Sequence, residues 1–145
     1  MVSLRGITES NYDAVTNLKV KEDQRRFLVS NHYSLEQAKI HKDYMPMTIY
    51  FEEELVGFLM YCLHPDEFHY LIIRFMIDEK YQSKGFGAEA MKQLLQYMKE
   101  EKGQKMVYIS FEPDNNQARK LYQRLGFQPV HSEWVEEEVL YRIRF

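Results

Sequence analysis

Gln82-Ser83-Lys84-Gly85-Phe86-Gly87-Ala88 stands between a nearly continuous apolar run, Tyr70–Ile77, and an amphipathic stretch, Gly85–Lys102. The run reads as a strand covered on both faces. The stretch reads as a helix, with Ala88, Met91, Leu94, Leu95 and Met98 along one stripe. Gly85 and Gly87 let the backbone adopt unusual conformations and let a ligand approach closely. The helix behind them points free N–H groups and its positive dipole end at the loop, which suits an anion such as a pyrophosphate. Lys80 and Lys84 add positive charge there. A tight strand-to-helix turn explains the same residues, and the loop alone leaves both readings open. The P-loop pattern is absent. Gly85-x-Gly87-x-x-Ala90 fits the looser dinucleotide fingerprint, but it lies past mid-chain, with too little sequence after it for the usual second half.

Outward from the loop, Gly103 is placed to cap the helix, and Met106–Phe111 reads as the next strand. Asn115–Leu125 follows as a helix ended by Gly126, and Phe127–Val130 and Val139–Phe145 as closing strands. This strand–helix–strand order requires a crossover with two parallel strands. Upstream, Met47–Phe51 and Leu55–Leu63 flank the polar turn Glu52-Glu53-Glu54 and predict an antiparallel hairpin. The first part of the chain reads as helices. Ser10 with Asp13 and Ser34 with Gln37 have capping-box spacing, and Tyr44-Met45-Pro46 stops the second helix. The expected fold is mixed α/β: a mostly antiparallel sheet with a parallel β-α-β centre and helices on both faces.

The length, 145 residues, predicts one domain. A net charge of −3 gives no positive field for general binding to nucleic acid or to acidic membranes. No apolar run approaches the ~18 residues of a membrane span, and residues 1–10 lack a signal-peptide pattern, so a cytoplasmic protein is expected. Cys62, the one cysteine, excludes an intramolecular disulfide and reads as a small buried hydrophobe. His32, His41, His64, His69 and His131 have no metal-ligand spacing, and no metal is expected.

A second pattern lies in Asn115–Phe127. Ala118, Leu121, Tyr122 and Leu125 share one helical face, which core packing alone would explain. Together with the loop it resembles the acetyl-CoA-binding motifs of the GNAT-type N-acetyltransferases. Their Q/R-x-x-G-x-G/A is Gln82-x-x-Gly85-x-Gly87 here. Their N-x-x-A-x-x-L/I-Y-x-x-x-G-F is Asn115-x-x-Ala118-x-x-Leu121-Tyr122-x-x-x-Gly126-Phe127. The resemblance implies that Gln82, Ser83, Lys84, Gly85, Phe86, Gly87 and Ala88 hold the coenzyme A pyrophosphate. It implies that Phe75, Met76 and Ile77 pair with the pantetheine arm, and that a backbone N–H there polarises the thioester carbonyl. Asn115 and Ala118 would line the other side, and Tyr122 would protonate the departing thiolate. Acetyl would pass to the amine by direct attack, with no covalent enzyme intermediate.

Many relatives carry an acidic or His base on the central strand, where this chain has Ile73 beside Arg74. Glu67 and His69, further back, are the remaining candidates on that segment. Leu55-Val56-Gly57-Phe58, Tyr81–Gly85, Leu121–Phe127 and Ser34–Ala38 look similar to the bacterial spermine/spermidine acetyltransferase branch. A polyamine substrate is therefore expected, with carboxylates from Glu22, Asp23, Glu36, Glu67, Glu133, Glu136, Glu137 or Glu138 near its path. Other small amines, a protein amine, and a non-catalytic coenzyme A-binding module are the alternatives. The resemblance also implies a homodimer.

Overall fold

The computed structural model describes residues 1–64, 69–130 and 138–145. Seven strands form one sheet: β1 (Val2–Gly6), β2 (Tyr44–Phe51), β3 (Glu54–His64), β4 (His69–Ile77), β5 (Met106–Phe111), β6 (Gln128–Val130) and β7 (Val139–Arg144). Their spatial order is β1-β2-β3-β4-β5-β7-β6, and only β4 and β5 run parallel. The helices are α1 (Tyr12–Asn17), α2 (Asn31–Ile40), α3 (Phe86–Glu100) and α4 (Asn116–Leu125). A 3-10 segment, Glu22–Phe27, lies between α1 and α2. The mixed sheet, the parallel centre and the two helical layers agree with the expectation from sequence.

The strand pleat sends alternate residues to opposite layers. Val107, Ile109 and Phe111 of β5 join Ala90, Met91, Leu94 and Met98 of α3 and Tyr122 of α4 in the larger core. The stripe on α3 is the expected one, except that Ala90 rather than Ala88 is buried. Phe58, Met60 and Met76 face the other way and pack with Val15 of α1 and Leu35 of α2.

Three expectations near the N-terminus fail. Val2–Gly6 is an edge strand paired with β2, with Val2 3% exposed, and not part of a helical region. Neither expected capping box forms. Asn11 precedes α1 and spends its side chain on the Thr8 N–H (2.8 Å) and the Gly6 carbonyl (3.1 Å), which folds the turn out of β1. Helix α2 starts earlier than expected: Ser30 caps it, accepting from the Tyr33 N–H at 3.1 Å, and Ser34 is buried inside the helix. Tyr44-Met45-Pro46 begins β2, where Pro46 is tolerated in an extended strand.

Gly57 sets the hairpin register against β4. A Cβ there would lie 2.5 Å from the Met76 carbonyl oxygen and 2.9 Å from Ile77 Cδ1. The backbone contact cannot yield without moving β4. Gly57→Ala is therefore expected to destabilise the fold by about 1–3 kcal/mol or more. A urea melt checks this, and an unchanged midpoint would mean that the strands are not this close.

Candidate active site

The parallel pairing of β4 and β5 is short. Only Leu71 with Tyr108 and Ile72 with Ile109 are in register. A bulge then falls on β4: Ile72 faces Tyr61 and Arg74 faces Met60, leaving Ile73 as the extra residue. From Ile73 onward the two strands diverge, and a cleft of about 600 Å³ opens between them, within the usual size range of small-molecule sites. Its walls include Ile73, Arg74 and Phe75 from β4, Ser110 and Glu112 from the β5 side, and Glu138 just before β7.

A second groove, of about 310 Å³, runs beside it along the loop after β4. Leu28, Phe75, Asn115 and Tyr122 line both spaces, so the two meet at Tyr122. Of the coenzyme residues expected from sequence, Phe75, Met76, Ile77, Gln82, Ser83, Gly85, Phe86, Gly87, Ala88, Asn115 and Ala118 all line this groove. Lys84 is exposed and does not. Met76 contributes from the strand, while its side chain belongs to the core on the opposite face.

The loop is built for an anion. Gly85 takes φ +84° at the N-cap of α3, without a side-chain cap. Ser83, at φ +64°, also adopts the left-handed region, in which a non-glycine residue is strained. Hydrogen bonding in α3 begins with Glu89 donating to the Gly85 carbonyl (3.1 Å), so the N–H groups of Phe86, Gly87 and Ala88 lie outside the helix's own ladder. Gln82 has a bracing role: its amide donates to the Ile77 carbonyl (2.9 Å) and to Gln24 (2.9 Å). Gln24 in turn donates to Gln117 of α4 at 2.5 Å. The 3-10 segment is thus tied across the groove to both of its sides. These features fit a pyrophosphate at the helix end and an extended arm along the unpaired edge of β4.

Asn115 caps α4, its Oδ1 accepting the Ala118 N–H at 3.2 Å. That cap and Gly126 (φ +107°) fix the ends of the helix, and Tyr122 lies on its buried face. The Tyr122 ring is 4% exposed, held edge-on by Phe111 (5.2 Å), Phe127 (5.9 Å) and Phe75 (6.4 Å). Tyr122 lines both the cleft and the groove. Burial, and secondarily the Glu138 carboxylate, push its pKa above the usual phenol value, so it remains a proton donor.

His69 does not line the cleft; its ring is tilted against Tyr108 at 5.8 Å. Glu36 is engaged by Lys39 (3.0 Å), and neither it, Glu22 nor Asp23 is on the wall. Glu67, Glu133, Glu136 and Glu137 lie outside the described residues. Cys62 is buried, and burial pushes its thiol up to about 11, far from a nucleophile's range. Sequence reading missed the walls formed by Gln24, Arg26, Phe27, Leu28 and Val29, and those formed by Arg74 and Glu112. The 3-10 segment has no apolar period to read. Among the described residues no group of three metal-ligating side chains occurs, and no helix is long and apolar enough to cross a membrane.

The chain is similar to known acetyltransferases. The family model described as "Acetyltransferase (GNAT) family" matches residues 12–127. The spermine/spermidine N(1)-acetyltransferase of Bacillus subtilis (strain 168) is 37% identical over 133 residues, covering 88% of each chain. RimL, a ribosomal L7/L12 alpha-N-protein acetyltransferase solved with coenzyme A, superposes with a TM-score of 0.78 at 17% identity, over 99% of this chain and 94% of that one. The PaiA N-acetyltransferase of Thermoplasma acidophilum, also solved with coenzyme A, gives 0.73 at 13% identity, over 100% and 99%. A family model spanning most of the chain and a relative 37% identical over 88% of each sequence show that the chain belongs to the GNAT family and is an acetyl-CoA-dependent N-acetyltransferase.

Proposed function

We propose that this enzyme acetylates a primary amine of a polyamine such as spermidine or spermine, the amine attacking the thioester directly. The observation that carries the reading is the second cleft, whose wall brings the carboxylates Glu112 and Glu138 together with Tyr122. A polyamine presents one amine to react and a second ammonium to be recognised. A carboxylate paired with that ammonium is worth about 1.5–3 kcal/mol, and so tenfold or more in specificity. The similarity to the spermine/spermidine N(1)-acetyltransferase of Bacillus subtilis supports the same substrate class.

Acetyl-CoA supplies the activated acetyl group. The chain's part is to bind and orient. The N–H groups of Phe86, Gly87 and Ala88, with the loop Gln82–Gly85, take the pyrophosphate. The β4 edge at Phe75–Ile77 takes the pantetheine arm, and a β4 backbone N–H stabilises the developing oxyanion. Asn115 and Ala118 close the far side. Tyr122 holds a proton at its hydroxyl for the leaving thiolate.

The test is coenzyme A thiol release with spermidine, spermine, an aminoglycoside, lysine and a basic peptide. Spermidine or spermine is expected to exceed lysine and the peptide in kcat/KM by about tenfold or more. A faster aminoglycoside or peptide would overturn the polyamine reading.

A further inference from the structure

We propose that Glu138 is the general base, entering the acceptor cleft from the β7 side and replacing the acid that β4 lacks at Ile73. The inference rests on amine acetylation in this cleft, but not on the amine being a polyamine. Ile73 is the bulge residue on the β4 wall and carries no proton acceptor. Glu138 occupies the same cleft from the other side, just before Val139, which pairs with Phe111 of β5. Tyr122 lies on the wall of the same cleft.

The surroundings of Glu138 suit a base. Its carboxyl is half-buried on the cleft wall, and Arg74, with Ser110 to a lesser degree, favours the charged form. Burial and Glu112 act against that charge, and the net result holds its pKa above the ordinary carboxylate range. A more basic carboxylate is a better proton acceptor near neutral pH. The charged groups facing it are Arg74 from β4, Glu112 after β5 and Arg26 from the 3-10 segment, with the Tyr122 hydroxyl from α4. Among the described residues of the cleft wall, Glu112 is the other carboxylate.

The proton balance closes with these two side chains. The acceptor arrives as an ammonium with three N–H protons. Glu138 takes one and later releases it to solvent. The amine nitrogen bonds to the thioester carbonyl carbon, and the C–S bond breaks. Tyr122 gives its proton to the thiolate, and the second nitrogen proton restores the Tyr122 hydroxyl. The amide keeps the third.

An amine with a pKa of about 10 is free in only about one molecule in a thousand at pH 7. Without a base the enzyme must wait for that fraction. Glu138→Gln is therefore expected to lower kcat/KM at pH 7 by about 10²–10³-fold for the fastest amine of the panel. The loss should shrink as pH rises and nearly vanish near pH 10, where the amine is free. Glu138→Asp should restore part of the activity at pH 7, and the loss in Glu138→Gln should fall on kcat at saturating amine rather than on KM alone.

Stability separates this from a structural role. A carboxyl whose folded pKa is raised binds its proton more tightly in the folded chain. Its contribution is most favourable below the ordinary carboxyl range and falls as pH rises through the raised value. Glu138→Gln should thus leave the melting temperature at pH 7 unchanged or higher. A loss that is the same at every pH, or one confined to KM, overturns the assignment. If the panel's fastest amine is not a polyamine, the substrate reading falls while the pH test of Glu138 stands.

Discussion

Tyr122→Phe is expected to lower kcat by about 10²–10⁴-fold while leaving acetyl-CoA binding and thermal stability in place. The size follows from what one positioned acid supplies. A thiolate with a conjugate pKa of about 8.5 leaves tolerably without help, so turnover slows and does not stop. The split between effects follows from the packing. Phe111, Phe127 and Phe75 hold the ring edge-on, and phenylalanine keeps those contacts. Phenylalanine also places no new polar atom in this aromatic setting. Burial keeps the hydroxyl protonated well above neutral pH, so it should add no basic limb to the rate profile below about pH 10. The check is single-turnover thiol release, a titration with coenzyme A and a melt, run side by side. A kcat within threefold of wild type would remove Tyr122 from the chemistry, and a matched fall in melting temperature would make its role structural.

How much of this could be read from the sequence depends on the range of each interaction. The loop and both flanking elements of the βαβ centre were legible because their signals are local: an apolar run, two glycines, a stripe at helical spacing. Helix α4 was legible for the same reason, with Asn115 and Gly126 marking its ends. The strand β1 was not, because five residues with only Val2 and Leu4 as apolar markers carry too short an alternation. The capping boxes failed because Asn11, one residue after Ser10, holds the turn before α1, and Ser30 caps α2 four residues before Ser34. The acceptor cleft was the least legible part. It exists because β4 and β5 part after Ile72, and because the β5–β7 register, with Phe111 opposite Val139, brings Glu138 to the end of β5 beside Glu112. A bulge and a register between distant segments leave no mark on local spacing. In sequence Glu138 is the end of an acidic run, and only the sheet distinguishes it from a solvated surface residue.

Gly87→Asp separates the coenzyme site from the fold, since the two should respond in opposite directions. Gly87 is the second residue of α3 and does not need a positive φ. A Cβ there would meet Ile77 Cγ1 and Phe75 Cε1 at 3.6 Å, which is ordinary contact. Replacing a helical glycine removes backbone freedom from the unfolded chain, and a carboxylate in the first turn complements the helix dipole by about 0.3–1 kcal/mol. The melting temperature should therefore hold or rise. Coenzyme binding should collapse, because the new carboxylate occupies the helix end that a pyrophosphate needs and repels it. Losing one charge-assisted contact is worth about 1.5–3 kcal/mol, so acetyl-CoA affinity should fall by about 10–100-fold or more. Lys84→Ala is the control: its side chain is exposed and off the groove wall, so its effect should be small and screened by salt. Calorimetric titration with acetyl-CoA reads both variants. If Gly87→Asp binds as wild type does, the anion is held elsewhere. If it binds weakly only because it has unfolded, the melt reveals it, and the argument from the uncapped helix end loses its support.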